Sequence, residues 1–497
     1  MTAHAMTKAE RIEHTTTDGS APVFYRTHSS LNLPDRRKSG GRRTLEPSLM
    51  ERVVQRLHND FSVRHLAAIA AAIGVVALVV WWVNIAVDGT DEAKTLSTQG
   101  AVTLSVFAIA VWFWIFTAID DTYVALGAAV VLVVMGVLPE KTLFDSLGDD
   151  TVWLLLGSFV IAAGITASGL ATRAAVFIIS GARDVRQLMH LSGAALVATA
   201  FAVPSTSGRA ALAMPVFMAL APVLRDRPAL VRALALAFPS VILLSAVASY
   251  LGAGAHLITS QILVGRGYPG FSFANWMLYG LPLAVVSSVA CVELVLALFT
   301  SREDRCQALS ISVSDLQSHT GIPISGRFTP AQGRAAWLVA VVIVLWCMEP
   351  VHGIHPAVIA LAGGLAMSST SLGVVSLGKA LKSVPWSLLI FMAATLALGS
   401  ALASSGAAAW AAEGMLGPIR SAGKAASVTF VVVIVFISTA AHLVIQSRSA
   451  RSAVLIPLVV SLAPEVGVSA MAAAYASTAA ALVHPYTKAL YHALPQN

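Results

Sequence analysis

The stretch STSGRAALAMPVFMALAP at residues 205–222 has a counterpart, SRSARSAVLIPLVVSLAP, at residues 447–464. Aligned end to end, eight of the eighteen positions are identical. Ser205, Ser207, Arg209, Ala211, Pro215, Leu220, Ala221 and Pro222 meet Ser447, Ser449, Arg451, Ala453, Pro457, Leu462, Ala463 and Pro464. Shared composition accounts for the alanines and leucines, but not for serines, an arginine and prolines at fixed offsets. The flanks repeat as well: ASGLATRAA at 167–175 answers ASSGAAAWAA at 403–412, and Ser168-Gly169 faces Ser405-Gly406. The chain therefore reads as a duplicated core. Each half carries a polar, arginine-bearing break inside apolar sequence, as in a duplicated transporter core.

Composition agrees. The 497 residues are 57% hydrophobic and 11% charged, with a mean hydropathy of +0.77. A soluble domain carries about 25% charged residues, so the expectation is an all-α polytopic membrane protein. The net charge of +7 does not imply nucleic acid, because the basic residues sit in short segments between apolar runs, where they orient a membrane protein. Cys291, Cys306 and Cys347 make neither a metal spacing nor a disulfide framework. No Walker loop is present, which disfavours ATP-driven transport, and no enzyme constellation, metal site or cofactor motif appears.

In chain order, residues 1–64 form a basic tail with Arg36, Arg37, Lys38, Arg42, Arg43, Arg52, Arg56 and Arg64 ahead of the first span. Such a tail stays cytoplasmic and touches anionic lipid, which places the protein in the inner (plasma) membrane. Residues 65–300 comprise the first span and the first repeat, with an inner hairpin at 187–224. Residues 301–333 are a cytosolic linker, and 334–497 are the second repeat, with an outer hairpin at 426–465. Ten full spans are expected besides the hairpins. An arm such as 210–224 has 15 residues, about 22 Å of helix against a hydrocarbon core of about 30 Å. Two re-entrant hairpins with tips near the midplane fit that length. Irregular backbone at that depth must line a cavity or be buried in protein, and the half-helices after the tips would turn their positive ends toward an anion.

The tips supply the candidate substrate-binding residues: Ser205, Thr206, Ser207 and Arg209 in one copy, Ser447, Arg448, Ser449 and Arg451 in the other. An arginine at mid-bilayer costs at least about 2.5–3.5 kcal/mol on insertion scales, and two at equivalent positions are unlikely accidents. Arg209 and Arg451 are expected to grip a carboxylate, sulfate or phosphate through their planar donors. The competing role is to bind carbonyls freed at the tips. Arg448 has two open roles, contacting substrate or standing in for a bound cation. The serines cap the half-helices, contact substrate, or do both. Breaks at Leu251-Gly-Ala-Gly-Ala-His256 and Val483-His484-Pro485-Tyr486-Thr487 interrupt apolar runs opposite the hairpins. Gly254, His256, His484 and Thr487 are accordingly possible broken-helix contacts. The two histidines and Glu293 are candidates for coupling or for structure.

At these residues the chain resembles the divalent anion/sodium symporter family of the ion transporter superfamily. Members carry two Ser-Asn-Thr tip signatures, each followed about eight residues later by proline. Ser205-Thr206-Ser207 with Pro215, and Ser447-Arg448-Ser449 with Pro457, fall on them in register, and VPWSLLIF from Val384 resembles the span before the second hairpin. The resemblance implies an inverted-repeat, elevator-type transporter of succinate, citrate, related carboxylates or sulfate, working as a homodimer. Thr206 and Arg448 replace the signature asparagine, which speaks against sodium coupling. Pro204-Ser-Thr-Ser-Gly-Arg209 is similar to the pattern of sodium-independent citrate/succinate and plastid dicarboxylate exchangers. The family's final span is expected to be absent, since the sequence reaches Asn497 soon after His484-Pro485. The leading expectation is sodium-independent anion exchange. Its rivals are a sodium-coupled symporter, an arsenite or sodium/proton antiporter of the same superfamily, and a truncated paralogue that does not transport.

Overall fold

A computed structural model describes Gly74 and residues 96–306, 308–309, 326–411, 425–443, 445 and 447–481. The chain divides into Met1–Ser62 and Val63–Asn497. The first unit lies outside the described residues, as do the expected first span at 65–87 apart from Gly74, and His484 and Thr487.

The described residues form helices and no strand; an isolated bridge pairs Asp184 with Ala308. Numbering those of ten residues or more, α1 is Thr98–Phe116, α2 Asp121–Val134, α3 Asp150–Ser168, α4 Leu170–Ile179, α5 Val185–Ala202, α6 Thr206–Val223, α7 Pro228–Leu244, α8 Gly254–Gly265 and α9 Phe273–Phe299. In the second half α10 is Pro330–Cys347, α11 Pro356–Ser368, α12 Trp386–Ser404, α13 Ala426–Ala440, α14 Arg448–Leu462 and α15 Ala470–Ala480. Seven helices among the described residues are long and apolar enough to cross a membrane, so this is a multi-pass membrane protein. The ten expected spans include the first, which apart from Gly74 lies outside the described residues, and the seven include α6, an arm of the first hairpin. Two apolar runs form shorter helices: α2 has 14 residues, and the run that carries the Leu251–His256 break is split between α7 and α8.

The first three helices of the two halves correspond and pack reciprocally. In order, α1, α2 and α3 answer α10, α11 and α12. Helix α3 beds on α11 of the other half, and its counterpart α12 beds on α2, the counterpart of α11. Likewise α1 packs on α12 and α10 on α3. Such exchange is what a two-fold relation between the copies produces. Small residues allow close approach at α3–α11, as at membrane helix contacts generally: a Cβ on Gly157 would lie 2.5 Å from the Ala360 carbonyl carbon. The matched Ser-Gly pairs also behave alike. Gly169 ends α3 at φ 69°, and Gly406 follows α12 at φ 74°, a left-handed turn that glycine makes without steric cost.

Each hairpin packs its own small core beside this body. Val176, Leu188, Leu196, Leu220, Leu234 and Leu296 belong to the first. Phe430, Ile434, Val459 and Leu462 belong to the second. The arms α5 and α6 have 18 residues each, about 27 Å of helix. This is longer than the 22 Å expected, because the helix continues through Pro215 and begins at Thr206 directly after the turn. The arms α13 and α14 have 15 residues each.

Candidate functional site

Both tips are built by the same local chemistry. After the turn, Ser205 caps α6 by accepting the Gly208 N–H at 3.2 Å, and Ser447 caps α14 by accepting the Ala450 N–H at 3.3 Å. Capping engages the hydroxyl oxygen and leaves the hydroxyl hydrogen for a ligand. Opposite the tips, α7 gives way to two short turns, Ser245–Ala248 and Tyr250–Gly252, before α8 starts at Gly254. Helix α9 backs this break. Trp276 Nε1 donates to the Val247 carbonyl at 2.9 Å. Gly280 makes room for the same carbonyl, which would lie 2.0 Å from a Cβ at that position. His256 is fully buried and donates from Nδ1 to the Ser249 carbonyl at 3.1 Å, while its ring stacks on Trp276 at 4.4 Å. His256 thus satisfies the broken backbone and is not on the cavity wall.

The two tips and the break meet around one cavity of about 830 Å³. Ser205, Thr206 and Ser207 line it from the first tip, Ser447, Arg448 and Ser449 from the second, and Ala253, Gly254 and Ala255 from the break. The N-termini of α6, α8 and α14 therefore converge on a shared space. The fit is close: a Cβ on Gly254 would lie 3.3 Å from Ser449 Oγ and 3.0 Å from Leu388 Cδ1. Arg448 reaches across to the other tip, donating from Nη2 to Thr206 Oγ1.

Arg209 and Arg451, expected as anion ligands, are absent from this wall and fully buried behind it. Arg209 donates to the carbonyls of Leu196 in the preceding arm at 2.7 Å and of Ile242 at the end of α7 at 2.9 Å. It also donates to Thr199 Oγ1 at 3.0 Å and Ser245 Oγ at 2.6 Å. Arg451 donates to the carbonyl of Ile445 in its own turn and of Ala481 just past α15 at 3.1 Å. The pattern is shared: each arginine ties its hairpin to the C-terminal end of the half-helix that follows. That end carries exposed carbonyls and partial negative charge, which a guanidinium complements.

The far wall was not foreseen from sequence. Trp114, Thr117, Ile119 and Asp121, from the end of α1 to the start of α2, line the cavity with Leu388 of α12. Among the described wall residues Arg448 is the one cation and Asp121 the one acid. Helix α2, which starts at Asp121, has 14 residues, about 21 Å. Glu293 is not on this wall; it is bound to Arg186 at 2.8 Å and His190 at 2.6 Å, where it joins α9 to α5. Among the described residues no group of three or more His, Cys, Asp or Glu is placed to hold a metal ion.

Comparison with known proteins gives concordant results. A family model described as "Citrate transporter" matches residues 111–480. A Cupriavidus necator protein named only as a membrane protein is 22% identical over 420 residues, covering 80% of this chain and 77% of its own length. The uncharacterized transporter YfbS of Escherichia coli is 26% identical over 185 residues, 37% of this chain and 30% of its own. Among solved structures, the YdaH transporter of Alcanivorax borkumensis superposes with a TM-score of 0.50 over 87% of this chain and 91% of that one. At 13% identity this is a likeness of fold alone.

Proposed function

This chain belongs to the citrate transporter family, and from that premise we propose that it is a secondary transporter of small multivalent anions, di- or tricarboxylates or sulfate, working by sodium-independent exchange. The observation that carries the reading is the cavity itself. Three helix N-termini and the Arg448 guanidinium face one space, and amide ends and an arginine both favour negative charge. In this reading the bound anion takes hydroxyl donors from Ser205, Ser207, Ser447 and Ser449 and charge from Arg448. Arg209 and Arg451 keep the hairpins attached to the broken helices and do not touch the anion. Sodium independence is supported by Thr206 and Arg448, which bond to each other where the resemblance expects asparagines. The basic tail supports a cytoplasmic N-terminus in the inner membrane, and the inverted-repeat fold supports elevator-type movement in a homodimer.

The test is uptake by the purified full chain in proteoliposomes. Labelled citrate, succinate and sulfate are offered with and without the same anion inside, in sodium and in choline. At least one anion should enter, faster against internal anion, and at an unchanged rate in choline. Steep sodium dependence would refute the coupling, and uptake of none of the three would refute the anion reading.

A further inference from the structure

Thr206 and Arg448 hold the same place in the two copies of the tip motif, the position after the capping serine. When two copies are related by a two-fold axis, the axis carries each residue to its equivalent across the molecule. Most equivalent pairs are therefore far apart, and a pair can touch only where it straddles the axis. Here the Arg448 guanidinium donates to the Thr206 hydroxyl. The reciprocal packing of α3 on α11 and α12 on α2 supplies the two-fold independently. The pair thus marks where the axis passes through the cavity wall.

An axial position restricts chemistry, because whatever one copy places there faces what the other copy places. Two arginines would set two guanidiniums in contact, and like charges repel. Two threonines would leave the axis without a cation. A carboxylate opposite Arg448 would neutralise the charge an anion needs. A hydroxyl accepts one N–H of the guanidinium, fixes its direction and leaves its charge intact.

We propose that Thr206 is the positioning residue for Arg448, pinning a single cation on the repeat axis so that it meets the anion midway between the two serine pairs. The proposal rests on the reading of the cavity as an anion site. It has an unusual corollary: since the two positions are equivalent, the pairing matters and the address does not. Arginine from the first tip, held by threonine from the second, would present the same cation to the same space.

The experiment compares full-chain variants in proteoliposomes, reading the citrate dependence of thermal stabilisation and the KM and kcat of citrate uptake. Arg448→Thr is expected to lose citrate stabilisation. Thr206→Arg alone is expected to weaken it by about tenfold or more, as for like charges facing across a site. The double exchange, Thr206→Arg with Arg448→Thr, should return to within about tenfold of the parent. Thr206→Val should raise KM about fivefold or more with its ligand-free melting temperature unchanged, and Thr206→Ser, which keeps the acceptor, should rescue most of that loss. Were Arg448→Thr to bind citrate like the parent, the anion reading of Arg448 itself would fall. If Arg448→Thr loses binding while Thr206→Val matches the parent and the exchange does no better than Arg448→Thr, the anion site stands and the axial pairing is refuted. A lowered melting temperature with unchanged KM in Thr206→Val would make the bond structural, which also refutes the proposal.

Discussion

At the scale of single residues, three arginines in one repeated motif divide into two kinds. Arg209 and Arg451 are fully buried and donate to backbone carbonyls, Arg209 to two hydroxyls as well; Arg448 is half-buried on the cavity wall. Their losses should separate. Arg209→Ala removes the guanidinium's bonds to the Ile242 and Leu196 carbonyls, of which Leu196 keeps the Thr199 hydroxyl as donor, and buried bonds of this kind cost about 1–3 kcal/mol each to lose. Its melting temperature should drop sharply, while the folded fraction keeps the parent's citrate affinity. Arg448→Ala should do the reverse, nearly abolishing citrate stabilisation at an almost unchanged ligand-free melting temperature. Equal losses of affinity in both would show that the buried arginines reach the anion after all. The sequence identifies all three as intramembrane cations, because hydropathy makes them anomalous. It does not say which way each points, since that depends on where α7 and α15 end, a tertiary fact. His256 was ambiguous for the same reason: the break was legible, but the carbonyl it serves, that of Ser249, lies ahead of the stretch read as broken.

At the scale of elements, the break between α7 and α8 depends on α9. Freed backbone groups in an apolar interior cost several kcal/mol each unless satisfied. Trp276 and Gly280 serve the Val247 carbonyl, and His256 serves Ser249. Gly280→Ala puts a methyl group into that carbonyl's space and should cost about 1–3 kcal/mol, with weaker citrate binding because α8 shifts with its N-terminus. A Gly280→Ala protein with parental stability and affinity would show that the break is held from elsewhere. Hairpin tips and the first break were legible in sequence from serine, glycine and proline inside apolar runs. The wall from Trp114 to Asp121 was not read, because a short connection between two apolar helices looks like any surface turn.

At the scale of the molecule, duplication was legible but interlocking was not. Sequence identity pairs α6 with α14, yet nothing in it reveals that α3 lies on α11 and α12 on α2. Neither half then has a complete surface of its own. If the gene is cut within the linker at 301–333, each half alone should fail to accumulate in membranes. Both together should restore a citrate-stabilised complex. A first half that accumulates alone would show that the exchanged contacts are dispensable. The same exchange sets a schedule for biogenesis. Helix α3 ends at Ser168 and its bed α11 begins at Pro356. At ribosomal rates the intervening chain takes roughly 10–40 s to make. Throughout that interval the groove around Gly157 faces lipid or an insertion chaperone, and a nascent chain stalled before α11 would be a ready target for membrane proteases.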